Sequence, residues 1–426
     1  MSNGRSGVTR RDFGRILALG APAVFVRPDR TAAAPRGIVA GDGEPFWQGV
    51  RDQFVMPREL GVLNAANLCP SPSPVLAALD ETTRRVDRDP SPINRAPLRE
   101  AKEATRRLVA EHLRATPEEI VITRNTSEAN NLVSSGLQLS AGDEVLILAD
   151  NHPSNHAAWR EKARRFGYAV KVVDVRSPHP GLDYYIDAFE RQTTARTRVW
   201  AFTHVTSSVG DVLPAAELCR RARARGILTL VDGAQTFGVL DVDLSAMQPD
   251  FYSGSAHKWP CGARESGVLY VHADALAKVA PQIVSLYGGA VGASRTLETY
   301  GQRDEAAIVG FGEAIRFMNA IGRPRIEQRA RQLARAMAEA LRGIDGVKVW
   351  TSPDPELSAA IVSAQIGDLN PATLAAALYK NDRIACATRD GSDRPGLRFS
   401  PHLYNLPEEI DRTAAAIRQY LRTGLA

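Results

Sequence analysis

The chain predicts an α/β protein, with a mostly parallel sheet of seven strands in a large domain and a smaller α+β domain after it. Three observations predict this. Between residues 120 and 271, short runs rich in Val, Ile and Leu alternate with stretches of helical spacing, the pattern of a parallel sheet covered on both faces. Past Glu305 the texture changes to long Ala- and Arg-rich helical stretches and then to short strands. The 426 residues, 44% hydrophobic and 24% charged, suffice to bury the cores of two domains.

Residues 1–36 stand apart. They hold Arg5, Arg10, Arg11, Arg15, Arg27, Arg30 and Arg36 against Asp12 and Asp29, which accounts for the whole formal net charge of +5. The pI near 9.1 therefore belongs to this leader, and the remaining chain has no net field to draw a nucleic acid. Thr9-Arg-Arg-Asp-Phe13, a short weakly apolar run to Val26, and Thr31-Ala-Ala-Ala34 have the layout of a twin-arginine export signal; a basic tail would share its composition. A periplasmic or otherwise extracytoplasmic protein is expected. Pro22 and the shortness of the run argue against a spanning helix, so no stable membrane insertion is expected.

Residues 37–63 are expected to form a linker and N-terminal arm, with Phe46–Leu63 a short helix or arm leading into Asn64-Ala-Ala-Asn67. Pro70, Pro72 and Pro74 predict a turn. Leu98, Ala101, Thr105, Leu108, Val109 and Leu113 predict a helix over 97–113. Predicted strands follow at 120–123, 144–149, 170–175, 199–204, 228–232, 250–253 and 267–271, with crossover helices at 127–136, 153–166 and 214–225. No clear helix separates the last two strands, so part of the sheet is expected to be mixed. The large domain is placed at 64–305. In the small domain, 306–426, helices are predicted at 306–321, 324–341, 371–380 and 407–423, and strands at 347–350, 359–365, 383–388 and 396–400. Cys69, Cys219, Cys261 and Cys386 are scattered without C-x-x-C spacing and read as buried free thiols.

The chemistry centres on FYSGSAHKWPCG, residues 251–262, and on Lys258 within it. Small residues followed by Pro260 and Gly262 put this lysine on a constrained turn. Upstream, Ile227-Leu-Thr-Leu-Val-Asp232-Gly-Ala-Gln235 reads as a buried strand delivering a carboxylate from its C-terminal end. A placed amine and such an acid are what a pyridoxal phosphate site needs most. Thr126 and Ser127, at a strand-to-helix junction, suit a phosphate, although an ordinary capping box looks the same. His152 and His156, four apart, have metal-pair spacing but no third ligand, so no metal is expected. His152 is instead placed to lie flat on the cofactor ring. Thr206 and Ser207, at another strand end, are candidates for bonding the ring oxygen or the substrate, or are simply satisfied polar groups. Arg398, in Leu397-Arg-Phe-Ser-Pro-His-Leu-Tyr-Asn405, needs a carboxylate partner in its apolar setting, from the protein or from a substrate.

Together Asp232-Gly-Ala-Gln235, Ser255-Ala-His-Lys258 and Arg398-x-Ser-x-x-x-Tyr404-Asn405 resemble the class V aminotransferase family, fold-type I enzymes using pyridoxal phosphate; His204-Val-Thr-Ser207 leans toward its isopenicillin N epimerase branch. The resemblance implies that Lys258 holds the cofactor as a Schiff base, Asp232 pairs the pyridine nitrogen and Gln235 meets the ring oxygen. It also implies that His152 stacks on the ring, that Thr126, Ser127, Ser255 and His257 hold the phosphate, that Gln302 reaches the phosphate of a partner subunit in a homodimer, and that Arg398 takes the substrate carboxylate. Desulfurases of the family carry a reactive cysteine before this arginine; Asp390-Gly-Ser-Asp-Arg-Pro-Gly396 has none, which disfavours a persulfide route. Relatives usually place Gly-Thr where this chain has Gly301-Gln302.

Fold and cofactor leave open which Cα bond breaks. With the export signal, the likeness extends to the periplasmic enzyme that tailors pyoverdine siderophores. The expected substrate is the amino-acid moiety of a secreted peptide or siderophore, undergoing transamination or oxidative decarboxylation or deamination. The alternatives are a small-amino-acid aminotransferase or epimerase, and a non-catalytic periplasmic binding protein on the same fold.

Overall fold

The computed structural model describes residues 41, 43–390 and 393–425; the expected export signal lies outside them. No helix among the described residues is long and apolar enough to cross a membrane.

A helix over Glu44–Arg51 buries Phe46, Trp47 and Val50 and ends well short of Leu63. Strand β1 (Gly61–Val62) comes next. The proline cluster expected to be only a turn starts a 16-residue helix, Ser73–Arg88. Pro74 sits in its first turn, where a missing N–H costs nothing. The following helix, Pro92–Leu113, begins earlier than predicted because Ser91 caps it, accepting from Asn94 N at 3.3 Å.

The large sheet contains seven strands: β2 (Ile120–Thr123), β3 (Glu144–Leu148), β4 (Ala169–Val173), β5 (Thr197–Thr203), β6 (Leu228–Asp232), β7 (Phe251–Ser255) and β8 (Gly267–Val271). Their order is β2-β8-β7-β6-β5-β3-β4. Only β8 runs against its neighbours, so the sheet is mixed where no crossover helix was predicted. Apart from edge strand β4, the strands are almost fully buried, as expected when helices cover both faces. A helix over Leu182–Gln192 was not predicted; the Pro and Gly residues before it obscure its period, yet it buries Tyr185, Ala188 and Phe189.

Helix Glu305–Ile321 belongs to the apolar core of this sheet, contributing Ile308, Phe311, Ile315 and Met318. Each such side chain contributes about 1.5–3 kcal/mol on burial. The chain passes to a second core within the next helix, Arg323–Arg342, through Leu333, Met337 and Leu341. The passage therefore falls later than the expected division at residue 306. Around that core lie β9 (Val347–Val349), β10 (Val362–Ile366), β12 (Ala387–Arg389) and β13 (Gly396–Phe399), an antiparallel sheet in the order β12-β13-β10-β9. Helices Pro371–Asp382 and Pro407–Thr423 complete it. The strand predicted over 383–388 is divided. Its first half, β11 (Ile384–Ala385), pairs in parallel with β1, and its second half is β12.

This pairing has a consequence for the site. Residues 61–69 run as a seam between the two sheets: Ala65 N bonds Ser400 O at 3.0 Å, and Cys69 N bonds His257 O at 2.9 Å. The end of β13 and the turn after β7 are thereby fixed to one short segment.

Candidate active site

Lys258 follows the C-terminal end of β7 on a turn closed by Cys261 N to Lys258 O at 2.9 Å and Gly262 N to Ala256 O at 2.7 Å. Burial lowers its pKa from 10.5 to about 8; Asp232 opposes the shift, Arg398 adds to it, and Cys69 opposes it weakly. Removing an ammonium from water favours the neutral amine, the nucleophilic form. The protonated form dominates below about pH 8 and the free amine above it. Capture of pyridoxal phosphate by apo-protein, followed by absorbance, is therefore expected to quicken as pH rises through about 8 and then level off. An inflection near the ordinary lysine value would contradict this environment.

Asp232 ends β6. Its Oδ2 accepts from Asn130 Nδ2 at 2.8 Å and its Oδ1 from Ala234 N at 3.0 Å. Asn130 is held in turn by Ser253 Oγ at 2.7 Å. Neither Asn130 nor Ser253 was singled out in the sequence, because each is one polar residue among many on a helix or strand. Gly233 is required here: a Cβ would come within 2.1 Å of the Tyr252 ring. Gln235 accepts from Trp259 Nε1 at 2.9 Å and donates to Ala66 O at 3.1 Å. That orients its amide and leaves one N–H for a ligand oxygen.

Thr126 and Ser127 open the helix Thr126–Gly136, but its cap is Asn125, which accepts from Glu128 N at 2.9 Å. Thr126 is buried, its N and Oγ1 2.9 and 2.7 Å from Ser255 Oγ, while Ser127 is exposed. Gly267 lies in register between Thr123 and Ser255, and a Cβ there would meet Gly254 O at 2.6 Å. The helix N-terminus is thus drawn to the end of β7, where N–H groups and hydroxyls favour an anion. His257 is half-buried, its pKa lowered to about 4 by burial and then by Lys258 and Arg264, so it is neutral at pH 7. His152 caps the helix Pro153–Phe166, its Nδ1 accepting from Ser154 N at 3.2 Å. Burial, then Lys258, lower its pKa, with Asp232 opposing and Arg398 adding. His156 turns away to Ala149 O at 3.1 Å. Gln302 is not brought to this cluster within the chain; it accepts from Arg95 at 2.7 Å.

Arg398, on β13, donates to Ser207 O at 2.8 Å and to Asn64 Oδ1 at 3.4 Å. Its Nε is buried without a partner, and no carboxylate pairs with it among the described residues. Burial, then Arg389, lower its pKa to about 10. Of the two readings of Thr206, the structure shows the satisfied polar group. It is fully buried, and its hydroxyl accepts from Asp211 N at 3.0 Å, closing the turn after β5. Ser207 contributes its carbonyl, which accepts from Arg398. Asn64 had no sequence signal as a contact of Arg398, 334 positions away. Burial pushes the Cys386 thiol up to about 12, so it is not a ready thiolate.

The strands of the large sheet thus bring a desolvated lysine, a doubly hydrogen-bonded aspartate and a helix N-terminus with hydroxyls to one rim, and β13 of the second sheet adds an arginine that no carboxylate pairs among the described residues. Pyridoxal phosphate fits these residues, with the amine for its aldehyde, Asp232 for its ring nitrogen and Thr126 with Ser255 for its phosphate. The fold and site define an α/β enzyme of the pyridoxal phosphate-dependent class. The chain belongs to the class V aminotransferases, whose family model matches residues 70–413. It is 33% identical over 394 residues to the isopenicillin N epimerase of Amycolatopsis lactamdurans, covering 88% of this chain and 98% of the relative. It is 31% identical over 422 residues to a probable cysteine desulfurase of Xylella fastidiosa, covering 91% and 97%. Among solved structures, a mutant of C-DES with glycine covalently linked to its PLP cofactor superposes with a TM-score of 0.80 at 24% identity, covering 86% of this chain and 98% of that one. At that identity the likeness concerns the fold.

Proposed function

We propose that this enzyme is exported and acts at the Cα of an amino-acid group on a secreted peptide or siderophore, by transamination or by oxidative decarboxylation or deamination. The observation that carries the substrate assignment is Arg398, a guanidinium held by Ser207 O and Asn64 Oδ1 and paired with no carboxylate among the described residues. An α-carboxylate supplies the missing partner. The leader at 1–36 supports export, and a twin-arginine route suits a protein folded around a cofactor made inside the cell.

When bound, pyridoxal phosphate supplies an electron sink for bond cleavage at Cα. Lys258 Nζ is placed to take a proton from Cα or return one, and its lowered pKa suits both tasks near neutral pH. Asp232, oriented by Asn130 and Ala234 N, would hold the ring nitrogen and favour its protonated form. Arg398 orients the substrate by its carboxylate. Chemistry at a persulfide cysteine is disfavoured: the loop before Arg398 has no cysteine, and the Cys386 thiol is raised to about 12.

The test is incubation of the purified holoenzyme with candidate amino compounds, with and without oxygen and a keto acid, followed by mass measurement. Conversion of a secreted amino-bearing peptide or siderophore precursor is expected. Activity confined to free cytoplasmic metabolites would overturn the reading. An aminotransferase or epimerase of small amino acids is the second reading, supported by the epimerase relative and by His204-Val-Thr-Ser207.

A further inference from the structure

Arg389 has no part in the chemistry proposed so far. Strand β12 pairs antiparallel with β13, placing Ala387 opposite Arg398 and Arg389 opposite Gly396. Residues two apart on a strand share a face, so Arg389 and Arg398 stand diagonally across one face of this sheet, within reach of long side chains. That face is turned to the rim of the large sheet, since Arg398 bonds Ser207 O there. Arg389 donates from Nε to Arg394 O at 3.2 Å, and its two Nη groups have no hydrogen-bond or ion-pair partner among the described residues.

The neighbouring carboxylates are engaged by another arginine. Asp150 pairs with Arg394 at 3.1 Å and accepts from Ser208; Asp393 pairs with Arg394 at 3.0 Å. Burial lowers the pKa of Arg389 as well as Arg398, Asp150 and Asp393 partly offsetting this at Arg389 while Arg394 adds to it. Two guanidinium groups thus stand diagonally across one face at the rim, neither ion-paired with a carboxylate among the described residues. Such an arrangement is costly when empty and favourable to a ligand bearing two negative charges.

We infer that Arg389 and Arg398 form a two-point anion site, so that the substrate carries a second acidic group on its side chain, at the spacing of a dicarboxylic amino acid. This rests on the reading that Arg398 takes the α-carboxylate. Arg389 then determines specificity and has no proton to move.

Glutarate and valerate, of equal carbon count but with two carboxylates and one, test the site without any reaction at the cofactor. Calorimetric titration of the full-chain holoenzyme is expected to show glutarate binding at least about tenfold more tightly than valerate. Arg389→Gln should erase that preference, Arg389→Lys should retain part of it, and Arg398→Gln should weaken both ligands. Equal affinities in the wild type, or a preference that survives Arg389→Gln, would overturn the two-point site and leave the role of Arg398 standing. If neither acid binds, both assignments fall. With amino substrates, Arg389→Gln should raise KM for acidic side chains by about 10-fold or more, a clearly larger change than for neutral ones.

Discussion

Lys258→Ala is expected to lose at least about 10³-fold in kcat/KM and to leave no covalent cofactor adduct after borohydride treatment. Positioned proton transfer alone is worth about 10²–10⁴-fold, and this side chain also provides the attachment. Two neighbouring bases are poor substitutes: burial and then the charge of Lys258 lower the pKa of both His152 and His257. The turn itself is held by backbone bonds, including Cys261 N to Lys258 O and Cys69 N to His257 O, so the variant should fold. Mass spectrometry of the reduced protein and circular dichroism separate the two questions. Full turnover in a well-folded variant would refute the assignment; partial rescue by a small exogenous amine would strengthen it.

Asp232→Asn is expected to lower kcat by about 10²–10³-fold, the scale of removing one preorganised electrostatic group from a buried site, while KM changes far less. The carboxylate accepts from Asn130 Nδ2 and Ala234 N. An asparagine can satisfy one of these donors and must face the other with its own NH₂, which costs about 1–3 kcal/mol in a buried setting. Asn130 can reverse its amide, because its partner Ser253 bears a hydroxyl that donates or accepts. The fold should therefore survive and the lost charge should dominate. Steady-state kinetics beside a thermal unfolding curve distinguish these effects. A large rise in KM with little change in kcat would count against the electrostatic role.

Much of this site is legible in one dimension because its parts sit at strand ends. Asp232 closes a predicted strand that matches the observed one, and Lys258 sits among Ser, Gly and Pro residues that betray a turn. Thr126 is identifiable by its place between strand and helix. The helices over 73–88 and 182–192 were obscured by prolines and glycines that open helices as readily as they end them. The division of 383–388 into two strands had no local signal either, since its cause is the distant segment Gly61–Val62.

Residue order was therefore enough for the α/β class, the cofactor, and the placing of Asp232 at a strand end and Lys258 on a turn, since each depends on period or on a short contiguous motif. Three-dimensional packing alone settled what those groups touch. Asn130 and Ser253 hold Asp232, Thr206 is enclosed in a turn, Asn64 meets Arg398 across the chain, and Arg389 shares a face with Arg398. Hydrogen-bond partners far apart in the chain leave no trace in local spacing, and whether a guanidinium lacks a carboxylate is known only once every neighbour has been placed.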